Sequence, residues 1–222
     1  MERFFYDNKN NIGRATMSYV PIFHLTIPAI WVSVLIAAAL TSFLVRFALK
    51  EKAGDWLWNA VSLYILIWKL SYIPFNFESF LEMPLSILYF NGGLYGHVLG
   101  IVLVMVYLTV LLTKQPKLAN QPVFAWLLFF VSYQAVLQIF ENNVLEAIFH
   151  SLLLIVSISA IRYLVKRADV PTDLLLGALF TLELLIVSVF APLISWQTAT
   201  FVTLAVITIY FYNRFTQKGE IV

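Results

Sequence analysis

Residues 67–100 read IWKLSYIPFNFESFLEMPLSILYFNGGLYGHVLG. Lys69 stands inside an apolar run long enough to lie in a membrane. An ammonium group there is costly unless it faces a cavity, a partner or an anion, so it marks a functional site by default. An acidic segment with Glu78 and Glu82 leads out and back, Gly92 and Gly93 return the backbone to the bilayer, and His97 follows about one turn deeper. Gly96 and Gly100 are the small residues that let one membrane helix approach another. The stretch therefore predicts two membrane helices joined by an acidic hairpin, with Lys69 and His97 set to meet between them.

The rest of the chain agrees with a membrane setting. Hydrophobic residues make up 61% and charged residues 12%, against about a quarter charged in soluble domains; the mean hydropathy is +0.87. The expected fold class is all-α, a polytopic membrane helix bundle. With no cysteine, a disulfide framework, a thiolate nucleophile and a sulfur-ligated metal are excluded. Nucleic acid is not an expected partner of a chain of net charge +2. Residues 1–20 read as a polar N-terminal tail without the apolar core of a cleavable signal, 21–215 as the membrane domain and 216–222 as a C-terminal tail.

Apolar runs long enough for about 30 Å of hydrocarbon predict about seven spans: residues 26–48, 56–75, 91–113, 122–140, 143–165, 172–192 and 194–213. Pro192 divides the last two. Arg46, Lys50 and Lys52 follow the first span, Lys114 and Lys117 the third, Arg162, Lys166 and Arg167 the fifth, and Arg214 and Lys218 the seventh, which places ten of the fourteen basic residues on one side. The alternate connections carry Glu78, Glu82 and Glu141 without lysine or arginine. The positive-inside rule then puts the N-terminus outside and the C-terminus in the cytoplasm.

Most ionisable groups inside the spans gather toward the outer leaflet. Gln134, Gln138 and Glu141 share one helix face, Glu146 and His150 form an i,i+4 pair on the next helix, and Glu183 is the exception near mid-span. Simpler roles compete. A membrane histidine often only bridges helices, a bond of about 1 kcal/mol. Lys69 has the option of snorkelling to the headgroups, and Glu146 with His150 reads better as a structural polar pair than as a metal site, two ligands being too few. Trp56, Trp58 and Trp196 fit an interfacial belt. Neither a G-x-S-x-G elbow, an H-E-x-x-H helix nor a P-loop is present, and no cofactor or metal is expected.

The motifs resemble the prolipoprotein diacylglyceryl transferase family of bacterial inner-membrane enzymes. Lys69, Leu70 and Tyr72 match its Arg-Leu-x-Tyr segment with lysine for arginine; Pro84, Leu85, Ile87 and Leu88, then Gly92, Gly93 and His97, match its Pro-Leu-x-Ile-Leu approach to Gly-Gly-x-x-x-His. Leu145, Glu146 and Ala147 are similar to the end of its His-Pro-Thr-Gln-Leu-Tyr-Glu segment, and Ser195, Trp196 and Gln197 to its Ser-Met-Gln. Of the signature Gly-Arg-x-Gly-Asn-Phe-x-Asn-x-Glu only Glu141 has a counterpart, Ser132 to Val136 standing where the arginine and asparagines belong. Thr181, Leu185 and Val189 replace the family's Tyr-x-x-x-Arg-Phe-x-x-Glu residues, and the head insertion is reduced to Asn142 and Asn143.

The resemblance implies transfer of diacylglycerol from phosphatidylglycerol to a lipoprotein cysteine at the outer membrane face. In that scheme Lys69, Tyr72, Gly92 and Gly93 hold the lipid phosphate, His97 is the base, and Glu141 or Glu146 shares the proton. Lysine does not reproduce bidentate arginine contacts with phosphate. The leading expectation is a degenerate homologue that binds anionic phospholipid, with phosphatidylglycerol foremost, or a lipoprotein precursor. An active transferase is the alternative and a small-solute transporter a distant one; the oligomeric state is not specified.

Overall fold

The computed structural model describes residues 19–22, 25–50, 55–88, 90–166 and 172–219. The expected tail over residues 1–20 lies outside these except for its last two positions. A short antiparallel pair, β1 (Tyr19–Ile22) and β2 (Leu25–Pro28), leads into helices α1 (Ala29–Leu49), α2 (Trp56–Leu70), α3 (Tyr72–Phe75), α4 (Phe77–Glu82), α5 (Gly93–Lys114), α6 (Asn120–Phe140), α7 (Val144–Lys166), α8 (Thr172–Phe190) and α9 (Trp196–Gly219). Short 3₁₀ turns occupy Pro84–Leu88 and Pro116–Leu118.

Among the described residues five helical segments, not seven, are long and apolar enough to cross a membrane: Ala29–Leu49, Gly93–Lys114, Pro116–Phe140, Val144–Val165 and Thr172–Phe190. The other two expected spans exist as helices with identifiable shortfalls. Helix α2 has 15 residues, about 22 Å of rise, because Pro74 cannot donate the bond that Leu70 would accept. Ser71 keeps right-handed helical angles, so α2 and α3 together cover Trp56–Phe75, the expected range. Helix α9 is 24 residues long but carries Thr198, Thr200, Thr203, Thr208, Asn213 and Arg214. It continues to Gly219, through part of the segment expected to be a tail.

Helix α6 is the hub, with 72% of its membrane-length window buried. It packs most extensively on α1 and α7 and next on α9. The buried positions of α1 are mostly small, Ala29, Ser33, Ala37, Ala38, Thr41 and Ala48 beside Val45 and Leu49, and the small residues permit close backbone approach. On α7 the buried positions His150, Leu153, Ser157, Ile161 and Leu164 recur at spacings of three and four, a single helical stripe. Trp56, expected at the interface, is instead buried and donates its indole N–H to Gln121 at 2.7 Å, tying the start of α2 to α6.

The second packing unit is α2 with α5. Gly92, Gly96 and Gly100 lie four apart, and facing them are Tyr64, Trp68 and Ser71. The Gly92 amide donates to the Trp68 carbonyl at 2.9 Å, and the Trp68 indole donates to the Gly93 carbonyl at 3.2 Å. Gly93 has φ +57°, a left-handed angle that glycine adopts without cost. A Cβ at Gly92 would collide with the Ser71 side chain and come within 3.0 Å of the Gly96 Cα. Gly92→Ala is therefore expected to destabilise by about 1–3 kcal/mol, seen as a lower Tm in detergent. Gly177→Ala, where a Cβ meets nothing within 4 Å, should leave Tm unchanged or raise it.

Candidate functional site

His97 sits on the glycine face of α5 and is nearly enclosed. Its Nδ1 lies 2.7 Å from the Tyr64 hydroxyl on α2 and its Nε2 2.9 Å from Thr200 Oγ1 on α9. The Trp196 ring meets it edge-on at 5.0 Å. Thr200 uses its one hydroxyl proton on the Trp196 carbonyl at 2.8 Å, so toward His97 it accepts. Nε2 then carries the proton and Nδ1 accepts from Tyr64, a neutral imidazole with both nitrogens engaged. Ser195 fixes the start of α9 by accepting the Thr198 amide at 3.1 Å, the N-cap that sets Trp196 and Thr200 at this depth. Trp196, expected in an interfacial belt, thus forms part of the site.

Beyond His97 a groove of about 660 Å³ runs between α5 and α9. Its α5 wall extends from Leu94 to Val110 through Val98, Ile101, Met105 and Val106, and Ala199, Thr203 and Ile207 form the other side. That is about 24 Å of helix. His97, Trp196 and Thr200 give one end its polar atoms, and the rest is almost wholly apolar.

The expected lipid-phosphate residues are placed apart from this groove. The Lys69 ammonium lies 4.9 Å over the Trp31 ring on α1, and Trp31 in turn packs on Trp68 at 5.1 Å. The expected meeting of Lys69 with His97 is thus replaced by a cation–π contact on one side of α2 and two hydroxyls on the other. Tyr72 is buried with its ring against Phe90. The amides of Gly92 and Gly93 are taken by the Trp68 carbonyl and by Asn91 Oδ1 at 2.9 Å; both glycines shape the start of α5.

A second polar centre joins α6, α7 and α8. Gln138 donates to Glu146 Oε1 at 2.9 Å and accepts from Asn143 at 2.8 Å. Glu146 Oε1 lies 3.7 Å from His150 Nε2, and His150 Nδ1 lies 3.1 Å from Glu183 Oε2. His150 and Glu183 are fully buried. The pairing of Glu146 with His150 follows their i,i+4 spacing; Glu183 as the third member was signalled by its charge in mid-span, but its partner depends on how α7 and α8 are docked. His97, Glu141 and Glu146, grouped as the catalytic set by the resemblance, fall into two centres. Among the described residues no three His, Asp or Glu side chains are placed to hold a metal.

Comparison of the chain with protein-family models, with curated proteins and with solved structures finds no match.

Two expectations follow from the second centre. Glu183→Leu removes one partner of a buried charged pair and is expected to cost about 3 kcal/mol, while His150→Leu combined with Glu183→Leu should recover most of that; thermal unfolding of the single and double variants in one detergent measures both. Glu141, in the turn between α6 and α7, has its carboxyl held above the usual range, first by burial and then by the charge of Glu146. A carboxyl whose folded pKa is raised favours folding while protonated, and that contribution is lost as pH rises through the raised value. Glu141→Gln should therefore gain Tm relative to the parent at pH 7.5 and lose the advantage near pH 4.

Proposed function

We propose that the chain is a degenerate relative of prolipoprotein diacylglyceryl transferase that binds phosphatidylglycerol in the outer leaflet of a bacterial inner membrane without catalysing the parent transfer. On this reading α2 with α3, and α9, complete seven spans, with the N-terminus outside and the C-terminus in the cytoplasm, as the basic residues after α1, α5, α7 and α9 imply.

The observation that carries the reading is the α5–α9 groove. It is long enough for one extended acyl chain and ends at a neutral imidazole with two hydroxyl partners. On this reading the Lys69 ammonium, which lies over the Trp31 ring on the other side of α2, swings away from that ring to supply the cation for the headgroup. Turnover is disfavoured by the same geometry. A base that deprotonates a thiol needs a free nitrogen within hydrogen-bond reach; His97 has none while Tyr64 and Thr200 hold it. Glu146 is engaged by Gln138, and bidentate cations for a phosphate leaving group are missing from the signature region. Binding without chemistry suits an accessory subunit in lipoprotein maturation.

Protein in nanodiscs is incubated with phosphatidylglycerol and a lipobox peptide bearing the acceptor cysteine, and peptide mass and glycerol phosphate are followed. The expected result is an unmodified peptide, phosphatidylglycerol enriched on the protein over phosphatidylcholine, and loss of that enrichment in Lys69→Met and in Thr203→Trp, which fills the groove. A diacylglyceryl mass gain abolished by His97→Gln would make the protein an enzyme. Equal retention of both lipids would remove the binding reading.

A further inference from the structure

A separate cavity of about 350 Å³ lies at the opposite end of the bundle from Lys69. It is lined by Phe43, Arg46, Phe47 and Lys50 of α1 and its cap, and by Arg162 of α7. Three cations therefore surround one space, and among the described residues no acidic side chain lines it. Among the described residues no ion pair neutralises Arg46, Lys50 or Arg162. Arg46 and Lys50 are an i,i+4 pair of like charge, a spacing that repels.

The cations are positioned as well as gathered. The Arg162 guanidinium lies 4.6 Å over the Phe47 ring, and Phe47 stacks on Phe43 with centroids 6.4 Å apart. A guanidinium resting on a ring keeps its edge N–H groups free to bind two oxygens of an anion. Phe43 and Phe47 are exposed, offering an apolar border of the kind found where a headgroup meets acyl chains. Lys50 stands at the C-terminal end of α1. It caps α1 with φ 58° and ψ 16°, a left-handed position where glycine is the usual residue and a side chain is strained.

We propose that Arg46, Lys50 and Arg162 form a phosphate-binding site, occupied by the phosphate of an anionic lipid headgroup or by free phosphate, at the basic end of the bundle. Arg162 and Arg46 supply paired N–H donors and Lys50 a point charge, and occupancy cross-links the ends of α1 and α7. The site is separate from the α5–α9 groove and does not depend on what that groove binds.

Lipid-stripped protein in a neutral detergent is titrated with inorganic phosphate, with dihexanoyl phosphatidylglycerol and, as the zwitterionic comparison, with dihexanoyl phosphatidylcholine, and the rise in Tm is followed to saturation. The decisive variant is Lys50→Gly, because glycine relaxes the left-handed cap and so keeps or raises the Tm of the ligand-free protein while removing one charge. It should weaken binding about fivefold, and Arg46→Gln with Arg162→Gln more strongly, at the scale of one cation each. Lys117→Gln, a cation of the neighbouring 3₁₀ turn outside the cavity, should bind as the parent does. Saturation by phosphatidylglycerol alone assigns a lipid headgroup, and saturation by inorganic phosphate as well assigns the phosphate group itself; both support the site. Binding of neither probe, binding of phosphatidylcholine as tight as that of phosphatidylglycerol, or undiminished binding in Lys50→Gly and the double arginine variant would overturn it.

Discussion

The close approach of α2 and α5 governs where the polar atoms of this protein fall. Three glycines four residues apart remove the side chains from one face of α5, and Tyr64 and Trp68 occupy the space thus opened. Because the rings lie against the α5 backbone, the Tyr64 hydroxyl reaches His97, and Trp68 exchanges hydrogen bonds with Gly92 and Gly93. In hydrocarbon, backbone groups at an interrupted helix start need partners from the protein itself. Here the Gly92 amide and the Gly93 carbonyl find them in the same tryptophan whose ring fills the glycine face, and the Gly93 amide finds its own in Asn91, so packing and polar satisfaction largely share one set of residues.

A division of labour follows from this arrangement. The α2–α5 unit presents a neutral, fully hydrogen-bonded imidazole to an apolar groove, while charge is kept in the Glu146–His150–Glu183 chain at the meeting of α6, α7 and α8. Burying a carboxylate in such surroundings is tolerable only with a partner. The imidazole provides one for two carboxylates at once. Separation of the two centres is the principal difference between the arrangement implied by family resemblance, in which His97 and the glutamates act together, and the arrangement found.

Much of the helical layout was legible because it rests on local properties. Apolar length, Pro192, and the glycine pair before His97 mark where helices begin and end, and these positions agree with α5 through α8 and with the start of α9 to within a few residues. The pairing of Glu146 with His150 was legible for the same reason, being fixed by one helical turn. Contacts across helices were not. Thr200 as a partner of His97 requires α9 to dock on α5, a separation of 103 residues, and nothing at Thr200 distinguishes it from its neighbouring threonines until that docking exists. Trp56 and Trp196 fit an interfacial belt because tryptophan is enriched at interfaces, yet Trp56 is buried on Gln121 and Trp196, half exposed, also meets the His97 ring. Lys69 is turned toward Trp31 and away from His97 because the rotation of a helix about its axis is set by packing and not by hydropathy.

The central position of α6 also bears on how the chain assembles. Helix α1 has few contacts with its sequence neighbour α2 and its main contacts with α6, so its surface of alanines, Ser33 and Thr41 has no mate until residues 120–140 have been made. The α2–α5 pair, by contrast, is complete as soon as α5 is inserted. Order of synthesis and order of packing therefore diverge: the first long helix to enter the membrane waits for the hub, and during that interval its hydroxyl-bearing face must be sheltered by lipid or by the insertion machinery.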